Sequence, residues 1–245
     1  CLIIKDEHEN IVEWIEYHKR MGVTIIYMFD QNSTVPALNY ITNYVVSEFV
    51  HYVYVGYVNQ RVAYSQCLEK YGHLHNFIAF IDSDEYIVVP DNRPIPAVLT
   101  AYEQYGGVVL HWMGFGSSGH ICKPEGGVIA NYYKCHKQGI IKSIVNIKYG
   151  INCKTDPHHF AYQEGHPAVN TAFQPVNSSH TNVTEQSFQI MYINHYFTRS
   201  LVEFAAKMAR GRAVKNMKKQ LTMEWFHEYD AKCNSTCPIL EMPPE

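Results

Sequence analysis

Short apolar runs alternate with helix-period stretches through residues 1–90. Leu2–Ile4, Val23–Phe29, Val50–Val55 and Phe77–Ile81 are nearly continuous in apolar residues. That pattern predicts strands buried on both faces. Between them, apolar side chains recur every three or four residues. Ile11, Trp14, Ile15 and His18 form one such face, ended by Gly22; Leu38, Ile41 and Val45 form another after Pro36; a third helix is predicted over Asn59–Tyr71. Asp6 and Glu9 have capping-box spacing, which predicts that the first helix opens at Asp6. Strands alternating with helices in this way predict an α/β fold with a doubly wound, mostly parallel, Rossmann-like sheet. Right-handed crossovers then bring Lys5–Asp6, Asp30–Asn32 and Asp82–Asp84 to one sheet edge, where open α/β sheets bind ligands.

The second half is less regular. A helix is predicted over Pro96–Tyr105 and a strand over Gly107–His111, followed by a flexible small-residue loop, Trp112–His120. Further short strands are expected at Val128–Lys134, Ile140–Ile147 and Gln189–His195. Ser200 and Glu203 form a second capping box, opening a helix with Leu201, Phe204, Ala205 and Met208 on one face. Lys207, Arg210, Arg212, Lys215, Lys218 and Lys219 make its later part basic: a solvated face, or a contact for a polyanionic acceptor. A last helix is expected over Asn216–Tyr229, before a Pro-rich tail.

Composition narrows the function classes. The 245 residues are 47% hydrophobic and 18% charged, as in a folded globular chain. A net charge of -3 argues against nucleic acid as a partner. The 19 tyrosines suit sugar recognition, because the ring stacks and the hydroxyl hydrogen-bonds, although core packing is the plainer reading of any one of them. No segment approaches the roughly 18 apolar residues of a membrane span. The chain begins at Cys1, inside a strand-like run, so it is expected to be part of a longer protein whose membrane anchor would lie in the missing segment. Among seven cysteines, Cys233 with Cys237 and Cys122 with Cys135 are possible pairs, and Cys67 reads as a buried thiol. Sequons at Asn32, Asn177, Asn182 and Asn234 hint at a secretory compartment.

The sharpest chemical signal is the end of the fourth apolar run, Asp82-Ser83-Asp84-Glu85. Three carboxylates at the tip of a buried strand are costly unless their charge is compensated. A divalent cation is one such compensator. Alternation along an extended segment points Asp82 and Asp84 to the same side, where they can share an ion and leave positions for phosphate oxygens. Glu85 is expected to hold the turn by hydrogen bonding. No Gly-rich loop follows the first strand, so neither a P-loop nor a dinucleotide fingerprint is present.

Ordered segments extend this pattern: Lys5-Asp-Glu7 with Glu13-Trp-Ile-Glu-Tyr-His18; Asp30-Gln-Asn-Ser-Thr34; Phe80-Ile-Asp-Ser-Asp-Glu-Tyr86; and Phe115-Gly-Ser-Ser-Gly-His120 with Asn194-His-Tyr-Phe-Thr-Arg-Ser200. In this order they resemble glycosyltransferase family 92 and related family-2-like domains. Gln31, and Asp6 where Asn is common, depart mildly from the family pattern. The resemblance implies a GT-A fold in one domain: a nucleotide-sugar-binding half (1–90), an acceptor-side half (91–232) and a tail (233–245). It implies transfer of a hexose, mostly galactose from UDP-galactose with inversion, to a protein-linked glycan or a polysaccharide; the expected compartment is the Golgi lumen, or the cytoplasm for a chain of bacterial or viral origin.

Under that resemblance Asp84 holds Mn²⁺ (or Mg²⁺) directly, Asp82 reaches the ribose or the metal, and His195 completes the metal shell. Lys5, Asp30 and Asn32 are expected at the nucleotide, and Arg199 at the pyrophosphate. Each has a plainer reading: Asp30 and Asn32 as a capped turn, His195 as a core histidine, Arg199 as a helix-flanking cation. Trp112, Ser117, Ser118 and His120 form the expected acceptor wall. Inversion needs a base for the acceptor proton; Glu125 is the candidate, with Asp156 and Glu164 open. His158 and His159 read as structural or acceptor-facing. The competing functions are a catalytically inactive glycan-binding module and a nucleotidyltransferase.

Overall fold

Strand β1 (Leu2–Ile4), β2 (Ile26–Gln31) and β3 (Val50–Val55) form where the apolar runs lie and pair in parallel in that order. They belong to a computed structural model that describes residues 1–153, 156–211 and 221–244. Helices α1 (Ile11–Arg20), α2 (Leu38–Val46) and α3 (Gln60–Tyr71) connect them to β4 (Phe77–Ala79) and β5 (Glu85–Val88). Helix α1 buries Ile11, Trp14, Ile15, Tyr17 and His18, each apolar side chain contributing about 1.5–3 kcal/mol by burial. Its aromatic face also fixes β5: the Trp14 indole donates to the Glu85 carbonyl at 2.7 Å and the Tyr17 hydroxyl to the Ile87 carbonyl at 3.0 Å. The acidic turn is thus anchored from its protein side.

The remaining elements are α4 (Ile95–Leu99), β6 (Gly107–Phe115) and β7 (Lys134–Asn146); the short strands β8 (Gly150–Cys153), β9 (Phe160–Tyr162), β10 (Ala168–Val169) and β11 (Pro175–Val176); then β12 (Tyr192–His195), α5 (Leu201–Arg210), α6 (Met223–Lys232) and β13 (Ser235–Thr236). A mixed sheet runs β11-β10-β6-β12-β5, with β7 pairing β6, β4 and β13. The fold class is α/β, but β4 stops at Ala79 and pairs antiparallel with β7 instead of extending the parallel sheet. The nitrogen of Cys1 donates to the Ala79 carbonyl at 2.7 Å, which ties β1 to β4 and brings the two sheets side by side.

Several expectations need correction. Helix α1 opens at Ile11, with Asn10 at its N-cap and no side-chain cap. Asp6 sits outside it in a left-handed conformation (φ 49) and accepts from the Thr34 amide at 2.6 Å, fastening the β1 loop to the β2 loop. The expected flexible loop is strand through Phe115, because β6 and β7 stay paired past a register shift at His111/Trp112. Gly114 leaves room there: a Cβ at that position would press on the Gln138 amide and on the Tyr229 hydroxyl of α6. Val128–Lys134 is turn and irregular backbone apart from its last residue, which starts the long strand β7. The capping box at Ser200 and Glu203 forms as expected. Of the basic run, Arg212, Lys215, Lys218 and Lys219 lie outside the described residues, as does the start of the helix expected from Asn216; α6 begins at Met223.

The tail is tied down. Strand β13 pairs antiparallel with β7, Ser235 opposite Cys135, so Cys237 reaches Cys135 and forms the disulfide. Neither sequence-local pair forms; Cys122 and Cys233 are free thiols, and Cys67 is buried as expected. Among the described residues no helix is long and apolar enough to cross a membrane.

Candidate functional site

A cleft of about 520 Å³ opens at the C-terminal ends of β1 and β2 and over the acidic turn. Sheet register builds its floor. Strand β12 runs antiparallel to β5 with His195 opposite Glu85, and parallel to β6 with His195 opposite Gly114. The Asp84 carbonyl accepts the Tyr196 amide at 2.8 Å, so the turn and the end of β12 move as one piece. Glu85 folds its carboxylate back onto the Asp82 amide at 2.9 Å, closing the turn as expected.

The carboxylates are compensated by lysines. Lys142, buried in β7, donates to Asp82 Oδ2 at 2.7 Å and lies 3.4 Å from Glu85 Oε2. Asp82 Oδ1 accepts from Gln60 at 2.7 Å and from the Tyr64 hydroxyl at 3.2 Å. Lys207, from α5, donates to Asp84 Oδ2 at 2.7 Å and to the Phe197 carbonyl at 2.9 Å, with its ammonium over the Phe197 ring. His195 Nε2 faces Asp84 Oδ1 at 3.5 Å.

Burial alone would raise each carboxyl pKa; the neighbours decide the sign. Lys142 pulls Asp82 below its ordinary value. Lys207 and His195 hold Asp84 well below it. Glu85, fully buried, stays well above it, because Lys142 offsets its desolvation only in part. Burial would lower Lys142, yet Asp82 and Glu85 push it up to about 12. His195 lies below the usual histidine value, since burial outweighs the attraction of Asp84.

A divalent cation fits part of this arrangement. Asp84 and His195 present one carboxylate and one imidazole to the same point, a donor pair compatible with Mn²⁺. The expected triad does not form. Both Asp82 oxygens are engaged by Lys142, Gln60 and Tyr64, and among the described residues no three His, Cys, Asp or Glu side chains are placed to hold a metal.

The other candidates divide between cleft and scaffold. Lys5 and Trp112 line the cleft with Asp82, Asp84 and His195, and the Trp112 and His195 rings lie 4.1 Å apart. Asp30 is buried and accepts from the Ala37 amide at 2.9 Å and the Tyr52 hydroxyl at 2.7 Å, outside the cleft lining. Asn32 is exposed, left-handed (φ 50) and also outside it. Arg199 is half-buried, pairs with Glu7 at 3.2 Å and lies outside the cleft lining. Ser117 donates its amide to Asp230, Ser118 Oγ accepts the Tyr133 and Lys134 amides, and His120 meets the Asn131 carbonyl; these contacts knit the loop to its own neighbours, away from the cleft. Glu125 is exposed and, like Asp156 and Glu164, does not line the cleft.

Sequence reasoning missed Lys142, Gln60, Tyr64 and Trp225, and read Lys207 and Arg210 only as part of a basic helix. Lys142 carries a signal: it is the lone cation in the apolar run Ile140-Ile-Lys-Ser-Ile-Val145. Arg210 turns to the cleft by donating to the Lys5 and Asp6 carbonyls and pairing with Glu7. His158 also lines it, with Nδ1 2.8 Å from the Ile141 carbonyl.

Comparison with known proteins agrees with the sequence signatures. The model of glycosyltransferase family 92 matches residues 2–232. A family 92 protein of Oryza sativa subsp. japonica is 26% identical over 182 residues, covering 69% of this chain and 30% of that protein. One from Ricinus communis is 23% identical over 252 residues, covering 98% of this chain and 41% of its own length. The chain therefore spans less than half the length of these relatives. Among solved structures, S. aureus TarS 1-349 in complex with UDP-GlcNAc shares 12% identity at a TM-score of 0.43, over 95% of this chain and 70% of that one, a likeness too slight to transfer a site.

Proposed function

Since the chain belongs to glycosyltransferase family 92, with an α/β fold of the GT-A type, we propose that it moves a hexose, galactose from UDP-galactose, to a glycan acceptor with inversion and with the help of Mn²⁺ or Mg²⁺. The observation that carries this reading is the convergence of Asp84, His195, Lys5, Lys207 and Arg210 on one cleft. A nucleoside diphosphate needs cationic groups at its phosphates and an acceptor of hydrogen bonds at its ribose. Lys207 and Arg210 face the cleft from α5 and Lys5 faces it from the end of β1, so the diphosphate lies between them. Asp82, oriented by Lys142, Gln60 and Tyr64, accepts from a ribose hydroxyl. Asp84 and His195 would hold the cation, which when bound neutralises charge growing on the departing diphosphate. In the transfer, the acceptor oxygen bonds to the anomeric carbon as the bond to phosphate breaks. The electron pair leaves with UDP, and the acceptor proton passes to a base. Galactose is carried by the resemblance alone. The compartment proposed is the Golgi lumen, as part of a longer membrane-anchored protein.

The test is UDP release from a panel of nucleotide sugars, with and without Mn²⁺. Metal-dependent release that Asp84→Asn lowers about 100-fold is expected. Tight glycan binding without turnover would favour the inactive module, and pyrophosphate release from a nucleotide triphosphate would favour a nucleotidyltransferase.

A further inference from the structure

Beside the cleft, a second groove of about 350 Å³ runs between β7 and α6. The two share a wall: Gln138, Ile140, His180, Trp225 and Tyr229 line both. Trp225 and Tyr229, one turn apart on α6, stack with ring centroids 4.8 Å apart and leave the half-buried indole at the rim. The Tyr229 hydroxyl is fixed by Gln138 at 2.8 Å. His136, Lys137, Glu228 and Lys232 belong to the groove alone.

We propose that this groove is the acceptor subsite and that it takes a neutral oligosaccharide, which meets the donor across the Trp225–Tyr229 wall. The inference rests on the transferase reading above. An indole edge beside amide, hydroxyl and imidazole groups matches a sugar ring, which has apolar faces and an equatorial belt of hydroxyls. Charge does not call for a polyanion: among the lining residues Lys137 and Lys232 are cationic and Glu228 is anionic, +2 − 1 = +1, and Lys137 is further paired with Glu185 at 3.1 Å beside the groove. Burial, with Lys232 nearby, keeps His136 below its ordinary pKa and so neutral at physiological pH. The basic character of α5 faces the donor cleft through Lys207 and Arg210, not this groove. The acceptor therefore approaches from α6, not along Ser117, Ser118 and His120.

The experiment titrates galactotetraose, a neutral probe, and trigalacturonate, an anionic one, into the full chain with UDP and Mn²⁺. Galactotetraose binding is expected. The double variant Glu228→Ala/Lys232→Ala should weaken it at least tenfold while UDP affinity stays within twofold. Trp225→Ala should abolish it, and circular dichroism separates that loss from misfolding, to which the exposed pair is insensitive. No galactotetraose binding to the wild type, binding unchanged in the double variant, or preference for trigalacturonate would each overturn the proposal. Failure of the wild type to bind UDP would instead sink the transferase reading, and this one with it.

Discussion

Lys142 and Lys207 neutralise the same acidic turn from opposite sides, and they do different work. Lys142 reaches it from inside the sheet with its side chain 1% exposed, and among the described residues its partners Asp82 and Glu85 form no ion pair with another cation. Lys207 reaches Asp84 from the rim, 20% exposed, and is held by a carbonyl and an aromatic face as well. The first fixes the fold, because removing Lys142 leaves Glu85, fully buried, and the inner oxygen of Asp82 without their cation. The second can open toward a ligand, because the cleft can solvate what it releases. Identical chemistry thus becomes scaffold or site according to which side of the turn it occupies.

The sharpest way to break this contrast is Lys142→Met. It leaves Asp82 and Glu85 without their cation and should cost about 3–5 kcal/mol of stability in urea denaturation. A loss under about 1 kcal/mol would mean the two lysines are equivalent. Next, Asp84→Asn should lower kcat/KM for UDP release about 100-fold, roughly 2.7 kcal/mol of barrier, with a smaller change in unfolding midpoint than Lys142→Met.

Alkaline titration sharpens the scaffold side. Lys142 has its pKa raised from 10.5 to about 12. Its stabilisation is therefore complete below pH 10.5 and is lost as pH rises through about 12. The shift corresponds to roughly 2 kcal/mol. Lys142→Met should lack this loss, whereas Lys207→Met should keep it. Lys207→Met should instead raise the KM for the nucleotide sugar about tenfold, roughly 1.4 kcal/mol, with under about 1 kcal/mol of destabilisation because its ammonium is partly solvated. The smallest effect is expected from Glu125→Gln: lying outside the cleft, it should leave turnover within about twofold.

The parallel half was legible because burial on both faces writes itself as continuous apolar runs; β3 matches its run residue for residue. The acidic turn was legible because charge at such a strand end stands out. Its compensation was not, since Lys142 arrives by pairing between strands distant in sequence. The misread boundary at Trp112 has a related cause. Glycines that let α6 approach β6 look locally like loop formers. Asp6 resembled an N-cap because Asx side chains satisfy backbone amides in turns as readily as at helix starts, and here the amide belongs to Thr34. The Cys135–Cys237 link closes 102 residues and depends on β13 pairing with β7, which local spacing does not encode.

A crystal structure of the chain with UDP and Mn²⁺ tests the central claim most directly. The account predicts the ion between Asp84 and His195, the diphosphate against Lys5, Lys207 and Arg210, and the Lys142–Asp82 contact unchanged. An ion that leaves Asp84 in its pair with Lys207, or UDP seated outside this cleft, would contradict it.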